Sequence, residues 1–136
     1  MRRTRLPAHR LKTRRRRVPA AMRFRLLRIA ADAQAALVLS LVADTTLVAP
    51  ENLVARSRGT AHAAFARHLA MYLLHVVHSR TYKDIGALIG RDPGSVAHAC
   101  AVIETRRDSE DFEQFISALE ARLAPAEITQ DEVRYA

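Results

Sequence analysis

Arginine, serine and histidine side chains gather around the predicted start of one helix, and their chemistry suits a polyanionic partner. Arg91 precedes the predicted helix, and a guanidinium forms charge-assisted hydrogen bonds to phosphate. Ser95 and His98 lie in its first two turns, and both side chains can donate to phosphates or to base edges. A helix start adds unpaired N–H groups and the positive end of a dipole. This pattern indicates contact with nucleic acid.

Three predicted helices position these side chains. Thr60 can cap a helix over 61–78 whose apolar residues recur on one face. Thr81 can cap a short helix over 82–89 that Gly90 ends. Asp92 can cap a helix over 93–106, with Pro93 at its first position. A long helix, a short helix and a turn into a further helix predict a helix-turn-helix unit. Gly86 inside the short helix predicts close packing against a neighbouring helix.

The remaining sequence predicts an all-α fold, a small helical bundle of about five helices. One helix is expected over 24–43, and Pro50 is expected to break the chain after it. A last, acidic helix is expected over 108–124, capped by Asp108 or Ser109. The domain prediction is a disordered Arg-rich arm over 1–21, a folded domain over 22–124 and a flexible tail over 125–136.

The net charge of +8 over 136 residues is unevenly distributed. Residues 1–28 hold twelve basic residues and no acidic one, and residues 56–107 hold eight basic and three acidic ones. Residues 108–136 hold two basic residues against eight acidic ones. Basic segments of this kind suggest a polyanion partner, although a charged run is also typical of a solvated tail. Both interpretations stay open for residues 1–21.

The cysteine content and the hydrophobic runs indicate the cellular compartment in which the protein is expected. The single cysteine, Cys100, excludes an internal disulfide and is expected to be a small core residue. The Arg-rich start and the uncharged run 33–43 together resemble a signal peptide, but eleven residues are too few to span a bilayer. We therefore expect a cytoplasmic, nucleoid-associated protein. Met22 is an alternative start, because it opens directly onto the first helix-like segment.

The six histidines do not form a recognisable metal-binding or catalytic pattern in the sequence. His75 lies three residues from His78 and two turns from His68, yet no Asp, Glu or Cys on that helix completes a metal site. Ser-His-Asp spacing, paired carboxylates and a phosphate-binding Gly-x-x-x-x-Gly-Lys-Ser/Thr loop are not apparent in these 136 residues. We expect no enzymatic activity, no ATPase module, no metal, no cofactor and no small-molecule substrate.

Several short motifs occur in order along the predicted helix-turn-helix. They are Ala66-Arg67, Ala70-Met71-Tyr72-Leu73, Ile85-Gly86, Gly90-Arg91-Asp92, Val96 and His98-Ala99-Cys100. Residues 50–124 thereby resemble the C-terminal DNA-binding domain of the bacterial replication initiator DnaA, most strongly over 66–103. The resemblance implies a phosphate contact for Arg67 and a minor-groove contact near Arg56 and Arg58, carried here to Arg58. The expected DNA-binding residues are Arg56, Arg58, Arg67, Lys83, Arg91, Asp92, Pro93, Gly94, Ser95 and His98.

One departure from the family pattern affects base recognition. Where the family has Asp-His-Thr-Thr, this chain has Asp-Pro-Gly-Ser over 92–95. In the family, the histidine and the first threonine contact bases, whereas Pro93 has no polar side-chain group and Gly94 has no side chain. The resemblance therefore implies a retained scaffold with an erased or rewritten recognition code.

Three functions remain as alternatives. The first is double-stranded DNA binding by the helix-turn-helix, used in transcriptional regulation or in modulation of replication. The second is a protein-interaction module that has lost DNA binding and uses the 24–43 or the 108–124 helix. The third is a sequence-neutral, nucleoid-type binder that depends on the Arg-rich arm. The trio Arg58, Arg67 and Arg91 favours the first over the second. Target sequence and oligomeric state are not encoded in any recognisable pattern.

Overall fold

Seven α-helices make up the part of the chain that the computed structural model describes, residues 18–56 and 59–124. They are α1 (Ala20–Ala30), α2 (Ala33–Thr46), α3 (Pro50–Leu53), α4 (Ala61–Val76), α5 (Tyr82–Ile89), α6 (Pro93–Arg106) and α7 (Glu110–Leu123). The predicted tail over 125–136, most of the predicted arm and Arg58 lie outside the described residues. The all-α prediction is confirmed, while the expected helix number of about five was too low.

The excess of helices comes from the N-terminal half. The single helix expected over 24–43 is instead α1 and α2, which meet at an angle of 112°. Asp32 separates them because its Oδ1 accepts a hydrogen bond from the Ala35 N–H at 3.2 Å and caps α2. Apolar residues continue on both sides of this cap, and that continuity hid the break. Pro50 does not only interrupt the chain; it occupies the first position of α3.

No described helix is by itself long and apolar enough to cross a membrane. The pair α1 and α2 reaches the required length and composition only when both helices are taken together across their 112° bend.

Side-chain caps define the helix-turn-helix as the sequence predicted. Thr60 Oγ1 accepts from the Ala63 N–H at 3.0 Å, and Thr81 Oγ1 accepts from the Asp84 N–H at 3.1 Å. Gly90 ends α5 in the left-handed conformation, at a φ of 81°. The helices α4, α5 and α6 therefore begin where expected, and α4 ends two residues before the predicted 78.

The core forms around α4, which packs against α2, α3, α5 and α6. Leu69 and Leu73 of α4 are fully buried, as are Ile85 of α5 and Ile103 of α6. Cys100 is also buried, and burial raises the pKa of its thiol to about 11, which fits the expected core role. The helix α7 adds Ile116, which is fully buried.

The close packing predicted at Gly86 is present, but its partner is a turn and not a neighbouring helix. A Cβ atom at Gly86 would lie 2.3 Å from the carbonyl oxygen of Arg91. The Gly86 carbonyl in turn accepts hydrogen bonds from the N–H groups of Gly90 at 2.8 Å and Arg91 at 2.9 Å. The absence of a side chain at Gly86 thus allows the turn to fold against α5 and places Arg91 at the start of α6.

Candidate nucleic-acid interface

A cavity of about 660 Å³ lies where α4, α6 and the segment after α3 meet. We call it the basic cavity. Its lining residues are Arg56, Ala64, Arg67, His68, Met71, Arg91, Asp92, Gly94, Ser95 and His98. Seven of the ten residues predicted to bind DNA are therefore brought to one place. Lys83 and Pro93 are exposed but do not line this cavity, and Arg58 lies outside the described residues.

Arg67 lies at the base of the basic cavity and supports its wall. Only 4% of the residue is exposed. Its Nε donates to the Leu53 carbonyl at 3.2 Å, and one terminal nitrogen donates to the Asn52 carbonyl at 3.1 Å. Burial, and then the charge of Arg91, lower the pKa of Arg67. The guanidinium thus has a structural task, holding α3 against α4, besides any contact with a ligand.

Arg91 fastens the turn between α5 and α6 to the segment after α3. Its terminal nitrogens donate to the Ala55 carbonyl at 2.7 Å and to the Arg56 carbonyl at 2.9 Å. The contact leaves the Arg56 side chain exposed on the cavity lining. Because main-chain carbonyls are neutral, these bonds orient Arg91 without cancelling its charge.

The start of α6 is already occupied by a side-chain cap. Asp92 Oδ1 accepts from the Ser95 N–H at 2.9 Å, and Asp92 Oδ2 accepts from the Ser95 hydroxyl at 2.9 Å. These two bonds lower the pKa of Asp92, so its carboxylate stays ionised at neutral pH. The Ser95 hydroxyl proton, which the sequence suggested for DNA, is therefore directed to Asp92 in this structure.

The outward face of α6 is built from small residues around the cavity mouth. A Cβ atom at Gly94 would meet only Asp92 Oδ1, at 3.1 Å, so nothing in the main-chain packing requires glycine there. Pro93 at the first helical position is exposed, and Ala101 further along the helix is exposed as well. A partner could thus approach the α6 backbone closely.

His68 lines the cavity although it is not among the residues predicted to bind DNA. Its spacing in the sequence suggested only a metal site with His75, two turns along the same helix. In the structure His68 instead faces His98 of α6, with ring centroids 6.5 Å apart and ring planes at 87°. The described residues hold no group of three His, Cys, Asp or Glu side chains that could bind a metal. The position of His68 directly after Arg67 was the available signal.

Comparison with known proteins identifies relatives of the segment that builds this cavity. The family model described as "Bacterial dnaA protein helix-turn-helix" matches residues 35–103. Two chromosomal replication initiator proteins DnaA, from Acholeplasma laidlawii and from its strain PG-8A, are each 40% identical over 68 residues. These matches cover 48% of this chain but only 15% and 14% of the two relatives. No solved structure matches the chain.

Proposed function

Because this chain belongs to the bacterial DnaA helix-turn-helix family, we propose that it binds double-stranded DNA through α6 and the basic cavity. The relatives are replication initiators, and we infer a role in regulating transcription or modulating replication by occupying DNA. The basic cavity carries this proposal. Three arginines and two histidines line it against one carboxylate, a charge balance suited to phosphate.

The geometry supports an approach from the side of α6. The turn held by Arg91 fixes the start of α6 relative to the segment after α3. A helix docked in the major groove would then present Gly94 and His98 to the DNA, while Arg56 lies at the phosphate backbone. Small side chains on α6 permit a close fit.

Sequence preference is proposed to differ from that of the initiator family. Each good base contact discriminates by about 1–3 kcal/mol, and Pro93 and Gly94 offer no polar side-chain atom for such a contact. Phosphate contacts by Arg56 and its neighbours do not depend on sequence. We therefore expect substantial affinity for duplex DNA with little preference for the box that the family recognises.

A charge-matched pair of variants tests the proposal. Arg56→Ala removes an exposed guanidinium but leaves the carbonyl that Arg91 uses. Arg122→Ala removes a charge of α7 that is also exposed and does not line the basic cavity. Duplex affinity of the full chain is measured by fluorescence anisotropy at several salt concentrations. We expect only Arg56→Ala to weaken binding and to reduce the log–log salt slope by about 0.9.

Two outcomes of this titration contradict the proposal. If the folded wild-type chain does not bind duplex DNA at low salt, the proposal of DNA binding is wrong. Equal effects of the Arg56 and Arg122 variants would show that general positive charge, and not the basic cavity, supplies the affinity. The second outcome, together with equal affinity for unrelated duplexes, would favour the sequence-neutral binder.

The interaction-module alternative gains support from two observations. Arg67 and Arg91 hold main-chain carbonyls of residues 52–56, so the fold alone would retain them without DNA. Exposed apolar side chains also lie on the N-terminal helices, with Phe24 62% and Leu27 69% exposed. Absence of duplex binding in a folded chain, with self-association or partner binding lost in Phe24→Ser with Leu27→Ser, would support this alternative.

A further inference from the structure

Two imidazoles face each other across the basic cavity, one from each of its principal helices. His68 comes from α4 and His98 from α6, and their ring centroids are 6.5 Å apart in an edge-to-face arrangement. Within the described residues, neither ring forms a hydrogen bond to another protein group. Ring nitrogens that bond to none of the described protein groups, placed on the lining of a cavity, can bind a ligand.

The charges around His68 come from every element that meets at the cavity. Arg67 is its neighbour on α4, His98 faces it from α6, and Arg91 approaches from the turn before α6. Arg56 and the carboxylate of Asp92 complete the charged lining. Burial acts first, followed by His98, Arg67 and Arg91, to lower the pKa of His68. In the absence of a ligand, this environment favours the neutral form of His68.

An anion in the cavity reverses the effect of the neighbouring arginines. A neutral imidazole has one donor nitrogen and one acceptor nitrogen, whereas the protonated ring has two donors. A phosphate oxygen next to the acceptor nitrogen would be repelled, and protonation turns that contact into a charge-assisted hydrogen bond. The phosphate charge also offsets the charges of Arg67 and Arg91, which oppose protonation.

Resting on the proposed DNA binding, we propose that His68 and His98 form a phosphate-binding pair for the DNA backbone, and that His68 takes up one proton from solvent as the phosphate enters. The pair adds two side chains to the arginines as phosphate ligands. It also links DNA affinity to pH, because the bound state holds a proton that the free state does not.

As pH falls, the linkage predicts tighter duplex binding but lower stability of the free chain. Uptake of one proton strengthens duplex binding by at most about tenfold for each unit that pH falls. In the free chain, His68 has a lower pKa in the folded state than its ordinary value of 6.5. Its contribution to stability is therefore present above pH 6.5 and is lost as pH falls below that value.

The test measures duplex affinity of the full chain from pH 5.5 to 8 at constant ionic strength. Wild type is compared with His68→Gln, with His98→Gln and with His75→Gln as the control. His75 lies two turns further along α4 and bonds to the Arg80 carbonyl, outside the basic cavity. We expect tighter binding of wild type and of the control at lower pH. The His68 variant should bind more weakly at low pH and lose most of the pH dependence.

A second measurement separates a ligand role from a structural one. Urea unfolding of the free chain is measured at the same pH values. The free energy of unfolding should fall less for the His68→Gln variant than for wild type as pH falls. A His68 variant that keeps the wild-type pH dependence of duplex binding, with salt-dependent binding and the Arg56 effect intact, would overturn the pair and leave the proposed function standing. A wild-type chain that does not bind duplex at any pH would overturn both.

Discussion

Two groups of arginines around α4 show two different uses of the same side chain. At the basic cavity, Arg67 and Arg91 donate to main-chain carbonyls of residues 52–56. Arg80, after the end of α4, and Arg107, after the end of α6, donate to carboxylates. Arg80 pairs with Asp32 at 2.6 Å and with Asp84 at 3.0 Å. Arg107 lies between Glu113 and Glu120 and also donates to the Tyr72 hydroxyl.

The two groups differ in the charge of the atoms that accept their hydrogen bonds. A carboxylate neutralises the arginine that it binds, and its bonds raise the pKa values of Arg80 and Arg107. A carbonyl orients a guanidinium without supplying an opposite charge, and burial, followed by the charge of Arg91, lowers the pKa of Arg67. The arginines paired with carboxylates therefore join helices to each other. Those bound to carbonyls join chain segments at the lining of the cavity.

The largest effect is expected where the buried guanidinium of Arg67 holds two main-chain carbonyls. Arg67→Met removes the donors to the Leu53 and Asn52 carbonyls, and hydrogen bonds from charged groups are worth about 1.5–3 kcal/mol each. We expect a loss of about 3 kcal/mol in the free energy of unfolding, measured by urea titration, and weaker duplex binding. A loss below about 0.5 kcal/mol would mean that Arg67 does not support the wall of the cavity.

A glycine pair tests how the turn positions Arg91. Gly86→Ala places a Cβ atom 2.3 Å from the Arg91 carbonyl oxygen, which forces main chain to move. We expect a loss of about 2 kcal/mol in stability, within the range for overpacking, together with weaker duplex binding. Gly94→Ala is the control, since its Cβ meets only the Asp92 carboxylate. Equal thermal stability of the two variants would contradict the close approach.

A double substitution on α6 tests whether Pro93 and Gly94 account for the loss of base recognition. Pro93→His with Gly94→Thr restores the family's side chains at exposed positions of α6. We expect the ratio of affinities for the family box and for a scrambled duplex to rise about tenfold, which corresponds to about 1.4 kcal/mol. Competition binding at one fixed salt concentration measures it. A wild-type chain that already prefers the box strongly would refute loss of the code, and a folded variant without gain would refute the docking geometry.

The smallest effect is expected at the arginine paired with carboxylates. Arg107→Met removes bonds to side chains that water can reach, so we expect a loss of about 1 kcal/mol and unchanged duplex affinity. Arg107 also lowers the pKa of Glu113. The wild-type contribution is therefore present above pH 4.5 and lost as pH falls below it, and the variant should lack this loss. Weaker duplex binding in this variant would contradict the view that only the arginines of the basic cavity affect DNA binding.

Local chemistry made much of the fold predictable. The caps Thr60, Thr81 and Asp92 act within three residues of their own positions, so the limits of α5 and the start of α6 followed from sequence. The break at Asp32 uses the same chemistry. It escaped prediction because the apolar spacing continues across it, and a long apolar run cannot by itself reveal where a helix turns.

What the sequence by itself determined is the helix-turn-helix, its caps and the set of basic residues near it. Only the tertiary structure decided the task of each side chain. Arg67 meets carbonyls 14 and 15 residues earlier in the chain, and Arg91 meets carbonyls 35 and 36 residues earlier. His68 faces His98 only because α4 packs against α6. Capping depends on neighbours in sequence, whereas these contacts depend on how separate helices pack, which no local pattern specifies.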